Sequence, residues 1–264
     1  MAVITLTTEW KPDDVYNGII KGKLSSLCPE TTVIDNAFNI PAFNISHASF
    51  VLRNTFLNYP VGSIHIVCIH SEAHKDQDHL IVKAKGHFFI GTDNGIFNLI
   101  LNSEPEEVIK IDNNGVTDEL EIFSKAAAGL ISGKSPSDLG IPVKKISERV
   151  PLRATIDKDV IIGSIIFIDS YGNAISNITR EVFDRVFGNK NYRILIQSNK
   201  NYTEQISQKY GDVPVGEMLA RFNQLELLEI SINGTNISEL LSITIGSVVR
   251  IDLANNKSSP NHLF

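Results

Sequence analysis

The first half of the chain alternates short β-branched runs with amphipathic stretches. Val3–Thr7 reads as a strand, followed by a polar turn, Glu9-Trp-Lys-Pro-Asp-Asp, and a helical pattern from Val15 to Cys28 that Pro29 stops. Thr32–Ile34 is expected as a second strand and Ser46–Leu57 as a helix ending near Pro60. Ser63–Ile69 is nearly all apolar, the mark of a strand buried on both faces. Leu80–Ala84 and His87–Gly91 predict a hairpin turned at Lys85-Gly86, and Ile122–Ile131 an Ala-rich helix capped at Gly133. This rhythm predicts a parallel or mixed α/β sheet.

The pattern changes across Ser135–Pro151, which holds Pro136, Pro142 and Pro151. Beyond it strand-like runs dominate: Val160–Ile168, Ala174–Ile178, Tyr192–Ser198, Glu217–Asn223, Glu226–Ile232 and Ser247–Leu253. The expected fold class is therefore an N-terminal α/β sheet domain over residues 1–155 and a smaller C-terminal β-rich domain over residues 156–264.

Composition narrows the partners. At 42% apolar and 20% charged the 264 residues can build packed cores, and a net charge of −6 without a Lys/Arg cluster argues against nucleic acid and for a small molecule. Cys28 and Cys68 lie in apolar stretches as small buried hydrophobes and point to a reducing compartment. Met1–Thr8 lacks a basic segment and an apolar core, and no apolar run nears the roughly 20 residues that span a bilayer. A cytoplasmic protein without a membrane partner is expected, in which Asn177-Ile-Thr and Asn233-Gly-Thr carry no glycan.

Candidate chemistry begins with absences. No G-x-G-x-x-G follows the first strand, and there is no Walker lysine loop, G-x-S-x-G elbow or H-E-x-x-H. The loop after the buried strand gathers His70, Glu72, His74, Asp76, Asp78 and His79, but without a C-x-x-C pair or helical spacing it reads as solvated, and no metal is expected. Its position matters more, because open α/β sheets place ligands where a central strand ends. In Asp169-Ser-Tyr171-Gly-Asn173 a turn carries an aromatic ring between a carboxylate and a carboxamide, which suits a planar base or an amino-acid head group. Gly91-Thr-Asp93-Asn94-Gly95 reads as a turn into a capped helix.

Seven segments in register resemble the S-adenosylmethionine (SAM) hydroxide adenosyltransferase, or SAM hydrolase, family, related to the bacterial fluorinase and chlorinase. They are Leu6-Thr-Thr-Glu9-Trp through Asp14-Val-Tyr16-Asn-Gly18-Ile-Ile-Lys21-Gly22, Ile40-Pro41, Pro60-Val-Gly62-Ser-Ile-His65, Asp93-Asn94-Gly95, Ile122-Phe123 with its Ala run, Asp169-Ser-Tyr-Gly-Asn173 with Ser176-Asn177-Ile178, and Asp212-Val-Pro-Val-Gly-Glu217 with Glu229-Ile-Ser-Ile-Asn233-Gly. The resemblance implies an α/β domain plus a β-barrel-like domain, assembled as a homotrimer with sites between subunits. It implies that water attacks the adenosyl C5′ of SAM and expels methionine, with SAM as substrate or ligand and no further cofactor.

By the same resemblance Glu9 grips the ribose, Asp14 and Asp169 hold the methionine ammonium, and Phe43 walls the site, with Tyr171 in the same constellation as Asp169. Tyr210 stacks on adenine while Asn173, Asn233 and Gly234 read its edge. The family's catalytic Asp, Arg and His positions fall on His70, Gln77 and Asp118, so an imidazole and a carboxylate exchange places. The pair that follows Asn223 and helps hold the methionine carboxylate is here Gln224-Leu225. These departures leave two readings, a hydrolase using His70 and Asp118, or a catalytically degenerate adenosine- or SAM-binding protein. A halogenase-like activity and a metal-dependent one built on His70, His74 and Asp78 stand behind them.

Overall fold

The structure, a computed structural model, describes residues 2–75, 77–188 and 190–254. The chain forms two compact units, Met1–Val150 and Pro151–Phe264.

In the first unit β1 (Ile4–Thr8), β2 (Val33–Ala37), β3 (Ile64–Cys68), β4 (His79–Ala84), β5 (His87–Thr92), β6 (Glu107–Ile111) and β7 (Gly140–Pro142) form a sheet ordered β2-β1-β3-β5-β4-β6-β7. The first four strands in that order run parallel, whereas β4, β6 and β7 pair antiparallel with their neighbours. The period of two along β1 places Ile4 and Leu6 toward α1 (Val15–Leu27) and α4 (Glu119–Ile131), where they pack with Ile20, Leu24, Phe123 and Ala127. Val67 and Phe89 face the other way, onto α2 (Ile45–Thr55) and α3 (Ile96–Leu101). With both faces covered, β3 is buried at all five positions.

Its polar member, His65, is fully buried, with Nδ1 2.7 Å from Thr5 Oγ1 and Nε2 3.2 Å from His87 Nδ1. Phe56, Tyr59 and Phe89 pack around the two imidazoles.

The order of the first three strands decides where a ligand can sit. From β1 the chain crosses through α1 to β2 on one side, then returns through α2 to β3 on the other. In open α/β sheets ligands bind at the carboxyl ends of strands whose connections diverge in this way, here β1 and β3. Asp14 caps α1 by accepting from Tyr16 N at 3.4 Å, and α4 begins at Glu119, three residues earlier than its apolar pattern indicates, because Asp118 caps it by accepting from Leu120 N at 3.0 Å.

The second unit is a nearly closed, barrel-like sheet. It contains β8 (Thr155–Asp157), β9 (Val160–Ile168), β10 (Ala174–Thr179), β11 (Tyr192–Ile196), β12 (Ser198–Thr203), β13 (Met218–Phe222), β14 (Leu227–Ile232) and β15 (Val248–Leu253), ordered β12-β11-β15-β9-β10-β14-β13 with β8 beside β9. Past β12, Ile206 bridges to Ala220 and Ser207 N donates to Ala220 O at 2.8 Å, drawing the two ends of the sheet together around Ile165, Ile194, Leu228 and Ile251.

Two details differ from the sequence pattern. Arg180–Phe187 is a helix, α5, rather than part of a strand succession, because its spacing of three and four puts Phe183, Val186 and Phe187 on one buried face. The expected strand Tyr192–Ser198 breaks at Gln197, whose φ of 58° folds it into the β11–β12 hairpin. No helix among the described residues is long and apolar enough to cross a membrane.

Candidate active site

At the carboxyl ends of β1 and β3, Glu9 follows the buried Thr7 and Thr8, and its N–H donates to Cys68 O at 3.2 Å. Its carboxylate bridges two loops: Oε1 accepts from His70 N at 2.9 Å and Oε2 from Phe43 N. Phe43 and His70 both have left-handed backbones, with φ of 62° and 47°, a conformation costing an ordinary residue about 1 kcal/mol or more. Charge-assisted bonds from both amides offset that cost and leave two of the carboxylate's four lone-pair positions for a ligand. The Thr8 hydroxyl beside it is buried without a partner among the described residues.

His70 presents its ring edge-on to Phe43, centroids 5.3 Å apart, and its Nε2 lies 3.3 Å from His74 Nε2. Asn94 fixes the strand end beneath it, donating from Nδ2 to Ile69 O at 3.0 Å and His70 O at 3.3 Å while its Oδ1 accepts from Ile96 N. Ser71 O accepts from His79 Nε2 at 3.1 Å, and Ser71 Oγ donates to Glu119 at 3.4 Å. Burial lowers the His79 pKa, against upward pulls from the Ser71 carbonyl, Glu119 and Asp78. Burial, then Glu119 and Glu9, drive the Cys68 thiol far up, so Cys68 is a core residue and not a nucleophile.

Each residue at the family's catalytic positions has partners of its own. Asp118 caps α4 and lies 3.5 Å from Lys23 Nζ, and Gln77 accepts from His74 N at 3.3 Å; among the described residues neither forms a hydrogen bond or ion pair with His70. Among the described residues no group of three or more His, Cys, Asp or Glu is placed to hold a metal, and Asp76 lies outside them. A surface cavity of about 680 Å³ lies elsewhere, along α4, the turn after β6 and β7.

In the second unit the turn after β9 is built on Asp169. Its Oδ1 accepts from the backbone N of Tyr171 and Asn173, each at 2.9 Å, and its Oδ2 from Asn173 Nδ2 at 2.9 Å. Gly172 has a φ of 81°, and a Cβ there would meet Asn236 Oδ1 at 1.8 Å, so only glycine fits. Asn173 Nδ2 also lies 3.4 Å from the Tyr210 hydroxyl, which donates to Glu229 Oε1 at 2.7 Å; Ser231 Oγ donates to the same oxygen at 3.1 Å. The Arg221 guanidinium sits 4.8 Å from the Tyr210 ring centroid. Burial, then the bond to Glu229, push the Tyr210 phenol up to about 12.

Asp169, Asn173 and Tyr210 therefore meet. The ring beside the carboxylate and carboxamide is that of Tyr210, brought in from a distant segment, while Tyr171 is 79% exposed. Asn233 ties down the neighbouring loop by donating to Val213 O at 2.8 Å, with Gly234 next to it at φ 78°. Asn223 lies at the opposite end of the β13–β14 hairpin, holding its turn by accepting from Leu225 N and Leu227 N. Glu119, Glu229 and Arg221 were not singled out from the sequence. The signal for Glu229 was there: with Ser231 it occupies alternate, polar positions in an otherwise apolar strand.

This geometry can be set beside known proteins. A family model for the SAM hydroxide adenosyltransferase N-terminal domain matches residues 4–140, and one for the C-terminal domain of the same family matches residues 163–250. The chain belongs to the SAM hydroxide adenosyltransferase family. Two of its relatives in that family are the (R)-S-adenosyl-L-methionine hydrolases of Thermus thermophilus, 23% identical over 95% of this chain and 100% of that one, and of Methanocaldococcus jannaschii, 25% identical over 68% of each. The fold of this adenosyltransferase-family chain is shared with an uncharacterized conserved protein of Thermotoga maritima, with a TM-score of 0.85 at 22% identity over 95% of this chain and all of that one. A conserved hypothetical protein of Thermus thermophilus matches with a TM-score of 0.76 at 22% identity over 96% and 100%.

Proposed function

We propose that this protein binds SAM and hydrolyses it to adenosine and methionine. The observation that carries the reading is the clamp at the ends of β1 and β3, where one carboxylate, Glu9, holds His70 and Phe43 in strained conformations and keeps acceptor positions free. Glu9 takes the ribose hydroxyls, Phe43 walls the ligand, and Asp14 and Asp169 attract the methionine ammonium. Tyr210, Asn173, Asn233 and Gly234 recognise the base.

Water oxygen forms a bond to C5′ as the C5′–S bond breaks, the electron pair leaves with methionine sulfur, and the proton passes to the His70 imidazole. Because a sulfonium is a good leaving group, alignment and exclusion of bulk water supply most of the remaining help. Asp118 and Gln77 occupy the other two catalytic positions. A homotrimer is part of the proposal and predicts a solution mass three times the 29.2 kDa of the chain.

A second reading, a degenerate SAM- or adenosine-binding protein, is favoured by the commitment of Asp118 to Lys23 and the α4 cap. One experiment separates them. Incubation with SAM followed by chromatography should yield equimolar adenosine and methionine, and His70→Ala should lower turnover by about 100-fold or more with binding retained. Binding without turnover above a protein-free blank rejects the hydrolase and leaves the second reading.

A further inference from the structure

We propose that His74 is a positioning residue for the hydrolysis: by accepting a hydrogen bond from His70 Nε2–H, it holds His70 in the tautomer whose bare Nδ1 can take the proton of the attacking water. The inference rests on the reading above, in which His70 is the base.

Both histidines are held at their backbones. The His70 N–H donates to Glu9 Oε1 at 2.9 Å and its carbonyl accepts from Asn94 Nδ2 at 3.3 Å, around a left-handed φ of 47°. Gln77 closes the loop that follows, since its N–H donates to His74 O at 2.9 Å while its Oε1 accepts from His74 N at 3.3 Å. With the backbones fixed, the two rings meet edge to face, centroids 5.3 Å and planes 70° apart, and their Nε2 atoms stand 3.3 Å from each other.

Two neutral imidazoles form a hydrogen bond only where one brings an N–H and the other a lone pair. If His70 donates, the second N–H of the pair is on Nδ1 of His74, an exposed ring whose N–H water accepts. If His74 donates, that N–H is on Nδ1 of His70, a half-buried ring with no partner for Nδ1 among the described residues. Only the first arrangement bonds every N–H, and an unmade bond of this kind costs about 1–3 kcal/mol. The hydrogen bond at one ring nitrogen sets the tautomer and so the chemistry of the other. As the bond from water oxygen to C5′ forms and the C5′–S pair leaves with sulfur, the water proton passes to His70 Nδ1. The charge on the ring then strengthens its Nε2–H bond to His74. Release of that proton to bulk water with the products restores the starting tautomer. His74 thus takes up the orienting role for which Asp118, engaged with Lys23 and the α4 cap, forms no bond to His70 among the described residues.

The test compares the full-length protein with His74→Ala, which removes the acceptor, and His74→Glu, which replaces it with a group able only to accept. In alkaline buffer without ligand, magic-angle-spinning spectra of protein carrying ring-¹⁵N histidine, with the His70 signals assigned by their loss in His70→Ala, should show Nε2 protonated and Nδ1 bare in the wild type and in His74→Glu, but a mixture of tautomers in His74→Ala. With SAM as substrate, His74→Ala should lower kcat about tenfold with KM changed less than about twofold, and His74→Glu should recover at least about a third of the wild-type kcat. Mixed tautomers or a protonated Nδ1 at His70 in the wild type, a His74→Ala variant with wild-type kcat, or a fall in kcat without a change in the His70 signals overturns the inference. A wild type without turnover rejects the hydrolase reading and the positioning role with it, and the ligand-free spectra tell that failure from the absence of the hydrogen bond.

Discussion

Acid should destabilise the first unit through His65. In the unfolded chain this histidine titrates near 6.5; in the folded protein burial, and then the neighbouring His87, push it down to about 3. Above pH 6.5 both states keep the ring neutral and stability is unaffected. Between pH 6.5 and pH 3 the unfolded chain binds the extra proton, so stability falls as pH falls, by up to about 1.4 kcal/mol per pH unit. At pH 5 that amounts to about 2 kcal/mol, a sizeable part of the roughly 5–15 kcal/mol that holds a typical domain together. His47, His79 and His87 are also lowered by burial and add to the slope in the same direction. Urea denaturation at pH 7.5, 6.0 and 5.0 measures it. His65→Gln keeps groups able to bond Thr5 and His87 but cannot titrate, so its stability, whatever its value at pH 7.5, should fall less steeply below pH 6.5, by about 1 kcal/mol per pH unit. A wild type of constant stability over this range, or an identical slope in the variant, refutes the reasoning.

Glu9→Ala strips both loops of their shared acceptor and should cost about 2 kcal/mol in denaturant unfolding and weaken adenosine binding; a change under about 0.5 kcal/mol counts against the clamp. Gly172→Ala should lower adenosine affinity by calorimetry more than tenfold, because the Asn236 side chain and the turn cannot both stay in place. Phe123→Ala, at a fully buried ring against α1 and the sheet, should cost about 3–5 kcal/mol by the same denaturant assay. Asp118→Ala removes the α4 cap and should lower stability by about 1 kcal/mol, readable as a few degrees in a thermal melt.

Much of the fold was legible because local rules and burial agree in it. The run Ile64–Cys68 is buried on both faces as its apolar pattern indicates, and the hairpin turns at Lys85-Gly86 because both residues take positive φ. Helix α5 escaped because eight residues with two Phe and two Val satisfy a strand reading as readily as a helical one until the buried face is known. At the site, the turn at Asp169–Asn173 is local and could be read from Asp, Gly and Asn alone. Tyr210 and Glu229 reach it from 37 and 56 residues beyond Asn173, Tyr210 from the single helical turn Tyr210–Asp212 and Glu229 through the pairing of β14 with β10, contacts that the local turn pattern does not record. The partners of Asp118 were equally out of reach, since they depend on the start of α4 and on Lys23 from α1.

The way the two sheets finish bears on how copies of this chain can meet. A strand with free backbone donors and acceptors invites another chain to pair with it. In the first unit, β2 at one margin carries Asp35, ion-paired with Lys21 at 2.7 Å, and β7 at the other is three residues long and ends in Pro142. In the second, the bridge from Ile206 to Ala220 uses backbone groups at the seam of the barrel that would otherwise be open. Charge, brevity, proline and closure each discourage strand addition, so the trimer proposed above requires side-chain surfaces, where single substitutions can tune it without unravelling either sheet.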